Sequence, residues 1–112
     1  MVNDLAYKGK RLSVVGAGVS GRSLAELAKK LGTDVFVSEL KEMPQETAEA
    51  LGSLGIKWES GGNTRKLLEA DEIIVSSGIP SDIPILLEAS SQGIPVTSEL
   101  DFVYPFLSGK II

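Results

Sequence analysis

The chain has 112 residues, of which 43% are hydrophobic, and carries a net charge of −4 at neutral pH. This length allows one domain with a buried core, and the interspersed charges argue against a nucleic-acid or anionic-membrane surface. Because the chain contains neither Cys nor His, disulfides, thiolate and imidazole catalysis, and metal sites built from these residues are excluded. No apolar run approaches the roughly 20 residues of a membrane span, so we expect a cytoplasmic protein.

The first predicted element is a strand over residues 12–15, followed at once by a G-x-G-x-x-G segment at residues 16–21 and then a helix. The helix has four apolar residues on one face, namely Leu24, Leu27, Ala28 and Leu31. The first turn of a helix leaves N–H groups without internal partners, and the helix dipole adds partial positive charge. We therefore expect a phosphate group at this turn; the alternative is a structural turn without a ligand.

The second predicted strand covers residues 35–38 and ends at Glu39. Folds that bind dinucleotides place an acid about 20 residues after the glycines. Its carboxylate can accept hydrogen bonds from the ribose of a nicotinamide or flavin nucleotide, or from the imide N–H of a uracil base. The residues leave both ligands open, as well as a solvated acid at a strand end.

Helices and short apolar runs alternate along the rest of the chain, as an α/β domain requires. A helix beginning at Pro44 and stopping at Gly55 precedes a third strand at residues 56–58. A brief helix capped by Thr64 then leads to a fourth strand at residues 73–75.

The last third of the chain continues this alternation. Ser81 and Asp82 are candidate caps for the next helix, and a fifth strand follows at residues 95–97. Ser98 and Asp101 have capping-box spacing, which predicts a final helix that continues as far as a proline at residue 105. The prediction is an α/β fold: a Rossmann-like open, mainly parallel five-stranded sheet flanked by helices, in a single domain.

In such a sheet, ligands bind at the carboxyl ends of the strands where the strand order reverses. The loops after the first, second and fourth strands should therefore converge. The fourth-strand loop, Ser-Ser-Gly-Ile-Pro at residues 76–80, is suited to line this pocket, although an ordinary strand-to-helix turn is the alternative. Lys41 lies just past Glu39 and is either solvated or placed against a base or phosphate.

Other polar and aromatic residues are given structural interpretations. Trp58 is expected to pack in the core or at a sheet edge, and the glutamates at 42, 46 and 49 to form a solvated helix face. Glu99 and Asp101 lack further metal ligands nearby. Because no nucleophile has an adjacent base and no G-x-x-x-x-G-K-[ST] loop occurs, we expect binding rather than catalysis, with no catalytic residue and no metal site. Residues 111–112 resemble the start of another strand, which predicts a piece of a longer protein or, alternatively, a terminal edge strand.

Five segments follow one another along nearly the whole chain, at residues 16–23, 37–39, 61–64, 76–80 and 93–100. In this order they resemble the N-terminal domain of the Mur ligases of peptidoglycan synthesis, and in particular of the member that adds D-glutamate. The resemblance implies an ATP-dependent ligase of three domains, whose first domain holds the uridine diphosphate (UDP) part of UDP-N-acetylmuramoyl-L-alanine. The remaining domains would bring ATP, magnesium and D-glutamate, and an acyl phosphate would be attacked by the amino group. The chain itself would then hold no cofactor.

The resemblance also implies a set of UDP-binding residues. Val19 and Ser20 of the glycine loop would contact the diphosphate, Gly78 would approach it, and Glu39 would meet the uracil, with backbone contacts from Leu40 and with Lys41 beside the base. The full predicted set is Gly16, Gly18, Val19, Ser20, Gly21, Glu39, Leu40, Lys41, Ser77 and Gly78.

Two positions depart from the pattern of the D-glutamate-adding member. Glu39 is one methylene longer than the aspartate often found there, and Ser77 stands where proline is common, so that the Ser-Ser pair resembles the L-alanine-adding ligase. The glycine loop favours the D-glutamate-adding member, since the alanine-adding relatives usually carry an extra glycine and a methionine. Two alternatives have the same fold: an NAD(P)-binding domain of a dehydrogenase or regulatory sensor, and an interaction domain without a ligand.

Overall fold

A computed structural model describes residues 8–80 and 82–104, without the side chains of Val19 and Ser20. The strands are β1 (Arg11–Val15), β2 (Asp34–Glu39), β3 (Lys57–Ser60), β4 (Glu72–Val75) and β5 (Val96–Ser98). The helices are α1 (Val19–Lys30), α2 (Gln45–Ser53), a 3-10 helix (Arg65–Glu69), α3 (Pro84–Ser91) and α4, residues 99–104. Within these described ranges, no helix combines the length and apolar character needed to cross a bilayer.

The five strands form one sheet in the order β3-β2-β1-β4-β5, and every neighbouring pair is parallel. Val15 at the end of β1 lies beside Ser38 of β2 and Val75 of β4, and Val75 lies beside Ser98 of β5. The chain first builds outward from β1 to β3 and then returns to β4, so the strand order reverses between β1 and β4. This confirms the predicted fold and places the ligand crevice of an open α/β sheet at the ends of these two strands.

Successive side chains of a strand point to opposite faces, and each face of this sheet has its own hydrophobic core. One core packs the sheet against α1, α2 and α4, and its buried residues include Leu12, Val14, Val35, Val37, Leu24, Ala28, Leu51 and Phe102. The other packs it against the 3-10 helix and α3, through Val15, Ile73, Val75, Leu67, Leu86 and Ala89. Burying each Leu, Ile or Phe side chain contributes about 1.5–3 kcal/mol, so the two cores hold the strand ends rigidly in place.

Several predicted boundaries shift by a few residues. The helix cap predicted at Asp82 is wrong: Ile83 precedes α3 and its side chain makes no capping hydrogen bond. Pro84 is the first residue of the helix, a position that suits the φ angle of proline. Ser81, the other predicted cap residue, lies outside the described residues. Pro44 precedes α2 rather than opening it. Thr64 does cap the 3-10 helix, accepting the Lys66 N–H at 3.2 Å. The predictions at residues 105 and 111–112 lie outside the described residues.

The third strand runs further than predicted. β3 covers Lys57–Ser60 rather than residues 56–58, because the backbone continues to pair with β2 as far as its end at Glu39. Trp58 lies in this edge strand with 39% of its surface exposed. It therefore packs at the sheet edge, one of the two positions that the sequence predicts.

Candidate functional site

The glycine loop after β1 is shaped by contacts with both neighbouring strands. Gly16 donates its N–H to the Ser38 carbonyl oxygen at 2.8 Å, and its φ of 100° lies in the region that side chains disfavour. A Cβ atom at Gly16 would overlap the Ser76 hydroxyl, and one at Gly21 would overlap the Gly16 carbonyl. These two glycines therefore allow close packing of the loop, α1 and the β4 loop.

Gly18 differs from the other two glycines of the motif. It is exposed, it is the residue that precedes α1, and a Cβ atom at its position would meet no atom within 4 Å. Its carbonyl accepts the Arg22 N–H at 2.9 Å, which begins the helical hydrogen bonding. The open space at Gly18 allows a ligand to approach the backbone.

The N-terminus of α1 faces this open space with an anion-binding character. Val19 and Ser20 are its first two residues, and the first N–H groups of a helix have no partners within it. The first turn contains no acidic residue, and Gly18, which precedes it, has no side chain that could cap the helix. Arg22 lies in the next turn, where its guanidinium pairs with Glu26 at 3.3 Å. The helix dipole is therefore not neutralised by an acid in its own first turn.

Glu39 links the glycine loop to the loop after β2. Its Oε1 accepts the Ala17 N–H at 2.8 Å and its Oε2 accepts the Lys41 N–H at 2.9 Å. A carboxylate has about four lone-pair sites, so each oxygen can accept one more hydrogen bond. Leu40 is 63% exposed and Lys41 is exposed, which leaves both accessible to a ligand.

The loop after β3 closes against the same region. The N–H groups of Gly61 and Gly62 donate to the carbonyls of Lys41 and Glu39, at 3.0 and 3.3 Å. Side chains of the same two segments also meet: the buried Ser38 hydroxyl lies 2.7 Å from Glu59 Oε2 and 2.8 Å from Asn63 Oδ1. The loops after β2 and β3 are thus bonded to each other by backbone and side chains.

Glu59 is the anionic centre of this network. Its Oε2 also accepts the Thr64 N–H at 2.8 Å, and its Oε1 accepts the Thr64 hydroxyl. Burial raises the pKa of Glu59, but hydrogen bonds from Thr64 and Ser38 and the charge of Lys66 outweigh burial and hold this pKa below its ordinary value. The carboxylate therefore stays ionised and fixes the loop.

The β4 loop reaches the crevice from the other side of the sheet reversal. Ser76 donates both its N–H and its hydroxyl to the Val15 carbonyl, at 3.1 and 2.9 Å, which joins this loop to the end of β1. Gly78 is exposed, has a φ of 90°, and would carry a Cβ atom into open space. Ser77 donates its N–H and its hydroxyl to Glu99 Oε1, at 2.7 and 2.9 Å.

The chain is similar to known proteins in both sequence and fold. Residues 11–84 match the MurD N-terminal domain family, and this match covers more than half of the chain. The chain belongs to the MurD N-terminal domain family.

Relatives of this MurD N-terminal domain carry the name UDP-N-acetylmuramoylalanine–D-glutamate ligase. The protein of that name from Bacteroides thetaiotaomicron is 42% identical over 104 residues, which cover 92% of this chain and 23% of the relative. That of Chlorobaculum tepidum is 42% identical over 105 residues, covering 94% of this chain and 23% of the relative. The chain thus spans about a quarter of the length of these relatives.

A solved structure shares the fold of this MurD N-terminal domain. The crystal structure of UDP-N-acetylmuramate–alanine ligase from Thermotoga maritima superposes with a TM-score of 0.74 over 88% of this chain and 23% of that chain. Its sequence identity is 23%, so the likeness concerns the fold alone.

The predicted UDP-binding residues of this MurD N-terminal domain lie in loops at the carboxyl ends of the strands. Backbone hydrogen bonds and the glutamates bring together the loops that contain Gly16 to Gly21, Glu39 to Lys41, and Ser77 with Gly78. The side chains of Val19 and Ser20 lie outside the described part.

The sequence analysis assigns Glu99 no contact at the carboxyl ends of the strands, where the structure places it against Ser77. It also gave no role to the Ser38–Glu59 pair. A signal for Glu99 was present: Ser-Glu-Leu at residues 38–40 recurs at residues 98–100.

A cleft of about 600 Å3 lies at the amino ends of the strands, opposite the candidate site. Its walls include Arg11, Phe36 and Lys66, together with Trp58 of the edge strand. It contains none of the predicted UDP-binding residues. We place the candidate site at the carboxyl ends of the strands, since the helix N-terminus and the converging loops lie there.

Proposed function

We propose that this chain is the substrate-binding N-terminal domain of an ATP-dependent ligase that adds D-glutamate to UDP-N-acetylmuramoyl-L-alanine in cytoplasmic peptidoglycan synthesis. The domain binds the UDP part of the substrate. Support comes from the family of the chain, from the names of relatives about 42% identical to it, and from the crevice between β1 and β4.

The single observation that carries the proposal is the open N-terminus of α1 at the point where the strand order reverses. Gly18 leaves space for close approach, and α1 supplies N–H groups and a positive dipole end toward a diphosphate. Val19 and Ser20 would donate their N–H groups to one phosphate. Gly78 would approach the same anion from the β4 loop, where the preceding residue, Ser77, is hydrogen-bonded to Glu99.

The uracil would lie over the end of β2. There Glu39 retains lone pairs that can accept the imide N–H of the base, because each of its oxygens accepts one backbone N–H. Leu40 offers backbone groups, and the Lys41 side chain lies beside the base. This arrangement favours a pyrimidine held by its polar edge.

We infer that ATP and magnesium bind to other domains of the ligase. In residues 8–80 and 82–104, no group of three or more carboxylate, imidazole or thiolate side chains lies close enough to hold a metal ion. The sequence also has no G-x-x-x-x-G-K-[ST] loop. We therefore assign phosphoryl transfer and amide formation to other domains, and to this chain the binding and orientation of the substrate.

Titration with UDP and with NAD, read by calorimetry, tests the proposed ligand. We expect UDP to bind and NAD to give no heat at the same concentration. Glu39→Ala should weaken UDP binding by about 1–3 kcal/mol if it leaves a buried partner unsatisfied. Tight NAD binding without a response to UDP would replace the ligase assignment by that of a nicotinamide-nucleotide-binding domain, and silence in both titrations would indicate an interaction domain.

The amino acid that is added needs a separate test in the protein that contains the catalytic domains. We expect that protein to form an amide with D-glutamate in the presence of ATP, and not with L-alanine. Preference for L-alanine would assign it to the alanine-adding relatives, in line with the Ser-Ser pair at residues 76–77. The 112-residue chain alone should hydrolyse no ATP, and measured turnover by it would contradict the assignment as a binding domain.

A further inference from the structure

The tripeptide Ser-Glu-Leu occurs twice, and both copies lie at the carboxyl edge of the sheet. The first ends β2, which pairs with β1, and the second begins in the last residue of β5, which pairs with β4. Ser38 lies beside Val15 at the end of β1, and Ser98 lies beside Val75 at the end of β4. The two glutamates that follow therefore occupy equivalent positions on either side of the strand reversal.

Each glutamate accepts an N–H from the loop that follows the adjacent inner strand, which is β1 for Glu39 and β4 for Glu99. Glu39 accepts that of Ala17 at 2.8 Å, and Glu99 accepts that of Ser77 at 2.7 Å. Ala17 and Ser77 each stand two residues beyond the end of their strand. The two ligand loops are thus held in the same way, by a carboxylate from the neighbouring outer strand.

The Ser77 hydroxyl has one proton, and it is donated to Glu99 at 2.9 Å. A phosphate oxygen without a proton needs a donor, so this hydroxyl cannot serve a diphosphate while it serves Glu99. The next residue, Gly78, is exposed, and a Cβ atom at its position would meet no atom within 4 Å. A ligand can therefore approach the backbone of Gly78 while Ser77 stays bonded to Glu99.

We propose that Glu99 is a positioning residue of the UDP site: its carboxylate fixes the Ser77 backbone so that Gly78 faces the diphosphate, and Ser77 itself does not donate to the ligand. This inference rests on the proposed function, which it deepens. Glu99 also begins α4, with Ser98 accepting the Asp101 N–H at 3.1 Å. The loop is therefore attached to a helix end whose position is set by the buried Phe102.

The test compares Glu99→Ala, Glu99→Gln and Ser77→Ala with the control Glu69→Gln, whose exposed side chain lies near the opposite edge of the sheet. Calorimetry measures the dissociation constant of UDP, and hydrogen exchange measures protection of the Ser77 amide without ligand. We expect Glu99→Ala to raise the dissociation constant about tenfold and Ser77→Ala to raise it less than about threefold. Glu99→Gln should lie between the unaltered protein and Glu99→Ala, because its amide oxygen still accepts, and the control should change nothing.

Exchange of the Ser77 amide should accelerate in Glu99→Ala and less in Glu99→Gln. Two binding results would overturn the proposal. The first is a UDP affinity of Glu99→Ala equal to that of the unaltered protein. The second is a loss of UDP affinity of more than about threefold from Ser77→Ala that stays equally large when Glu99→Ala is also present, which would indicate direct contact of Ser77 with the ligand.

The proposed function and the role of Glu99 can fail separately. If the unaltered protein does not bind UDP, the proposed function fails. Hydrogen exchange of the Ser77 amide then tests the role of Glu99 by itself. Unchanged protection of this amide in Glu99→Ala would overturn the positioning role.

Discussion

The carbonyl oxygen of Gly16 occupies the space that a Cβ atom on Gly21 would need. Gly21 lies in the first turn of α1, and Gly16 immediately follows β1. This contact brings the helix N-terminus against the strand end and determines where the helix dipole points. The last glycine of the motif therefore allows the helix to pack against the strand end.

Replacing Gly21 with alanine should lower the free energy of unfolding by about 1–3 kcal/mol, because backbone atoms have to shift to accommodate the methyl group. Urea denaturation followed by circular dichroism measures this change. The matched control is Gly18→Ala, where a Cβ atom would meet open space; it should lose less stability than Gly21→Ala, because its only cost is that alanine precedes a helix less favourably than glycine. Equal stability of the two variants would contradict the packing role of Gly21.

Replacing Glu39 with alanine should destabilise the domain by about 1–3 kcal/mol, because the N–H groups of Ala17 and Lys41 both lose their acceptor. Chemical denaturation without ligand gives this value independently of any binding. The exposed Glu42 provides the control, and Glu42→Ala should be close to neutral. If Glu39→Ala is as stable as the control, the carboxylate does not hold the loop.

The lowered pKa of Glu59 predicts a dependence of stability on pH. Because the pKa is lower in the folded than in the unfolded chain, its contribution is fully present above the unfolded value of about 4.5 and is lost as the pH falls through the folded value. Glu59→Gln should therefore be less stable than the unaltered domain at neutral pH, and this difference should shrink below about pH 4.5. Denaturation curves across this range measure it.

Ser38→Ala removes one of the donors to Glu59 and supplies a graded control for the same experiment. Its pH dependence should lie between those of the unaltered domain and Glu59→Gln. A difference between Glu59→Gln and the unaltered domain that stays constant down to about pH 3 would contradict the ionised network.

Gly52 lies inside α2, where a Cβ atom would meet no atom within 4 Å. Gly52→Ala should raise the free energy of unfolding by about 0.5–1 kcal/mol, since alanine has the higher helix propensity and loses less backbone entropy on folding. Thermal denaturation detects the corresponding rise in melting temperature. A destabilised variant would mean that the last turn of α2 is not helical in solution.

Much of the fold was predictable because it depends on local patterns. The apolar runs that became β1, β2 and β4 are short and uncharged, and Leu24, Ala28 and Leu31 recur at helical spacing and are buried. The beginnings of α2 and α3 were less predictable. Pro84 opens α3 directly after Ile83, which has no capping side chain, so the polar residue at 82 gave a misleading signal.

The candidate site was predictable as a set of loops but not as a set of bonds. The sequence by itself determined the glycine turn, the acid at the end of the second strand and the alternation of helices with five strands. These features depend on glycine conformation and on the spacing of hydrophobic residues, which both act over a few neighbouring residues. Only the tertiary structure decided that Glu39 bonds to Ala17, that Glu99 bonds to Ser77, and that Gly21 packs on Gly16. The glutamate bonds join residues that are 22 positions apart in the chain, and their geometry depends on strand register and on how two cores place the sheet and its helices.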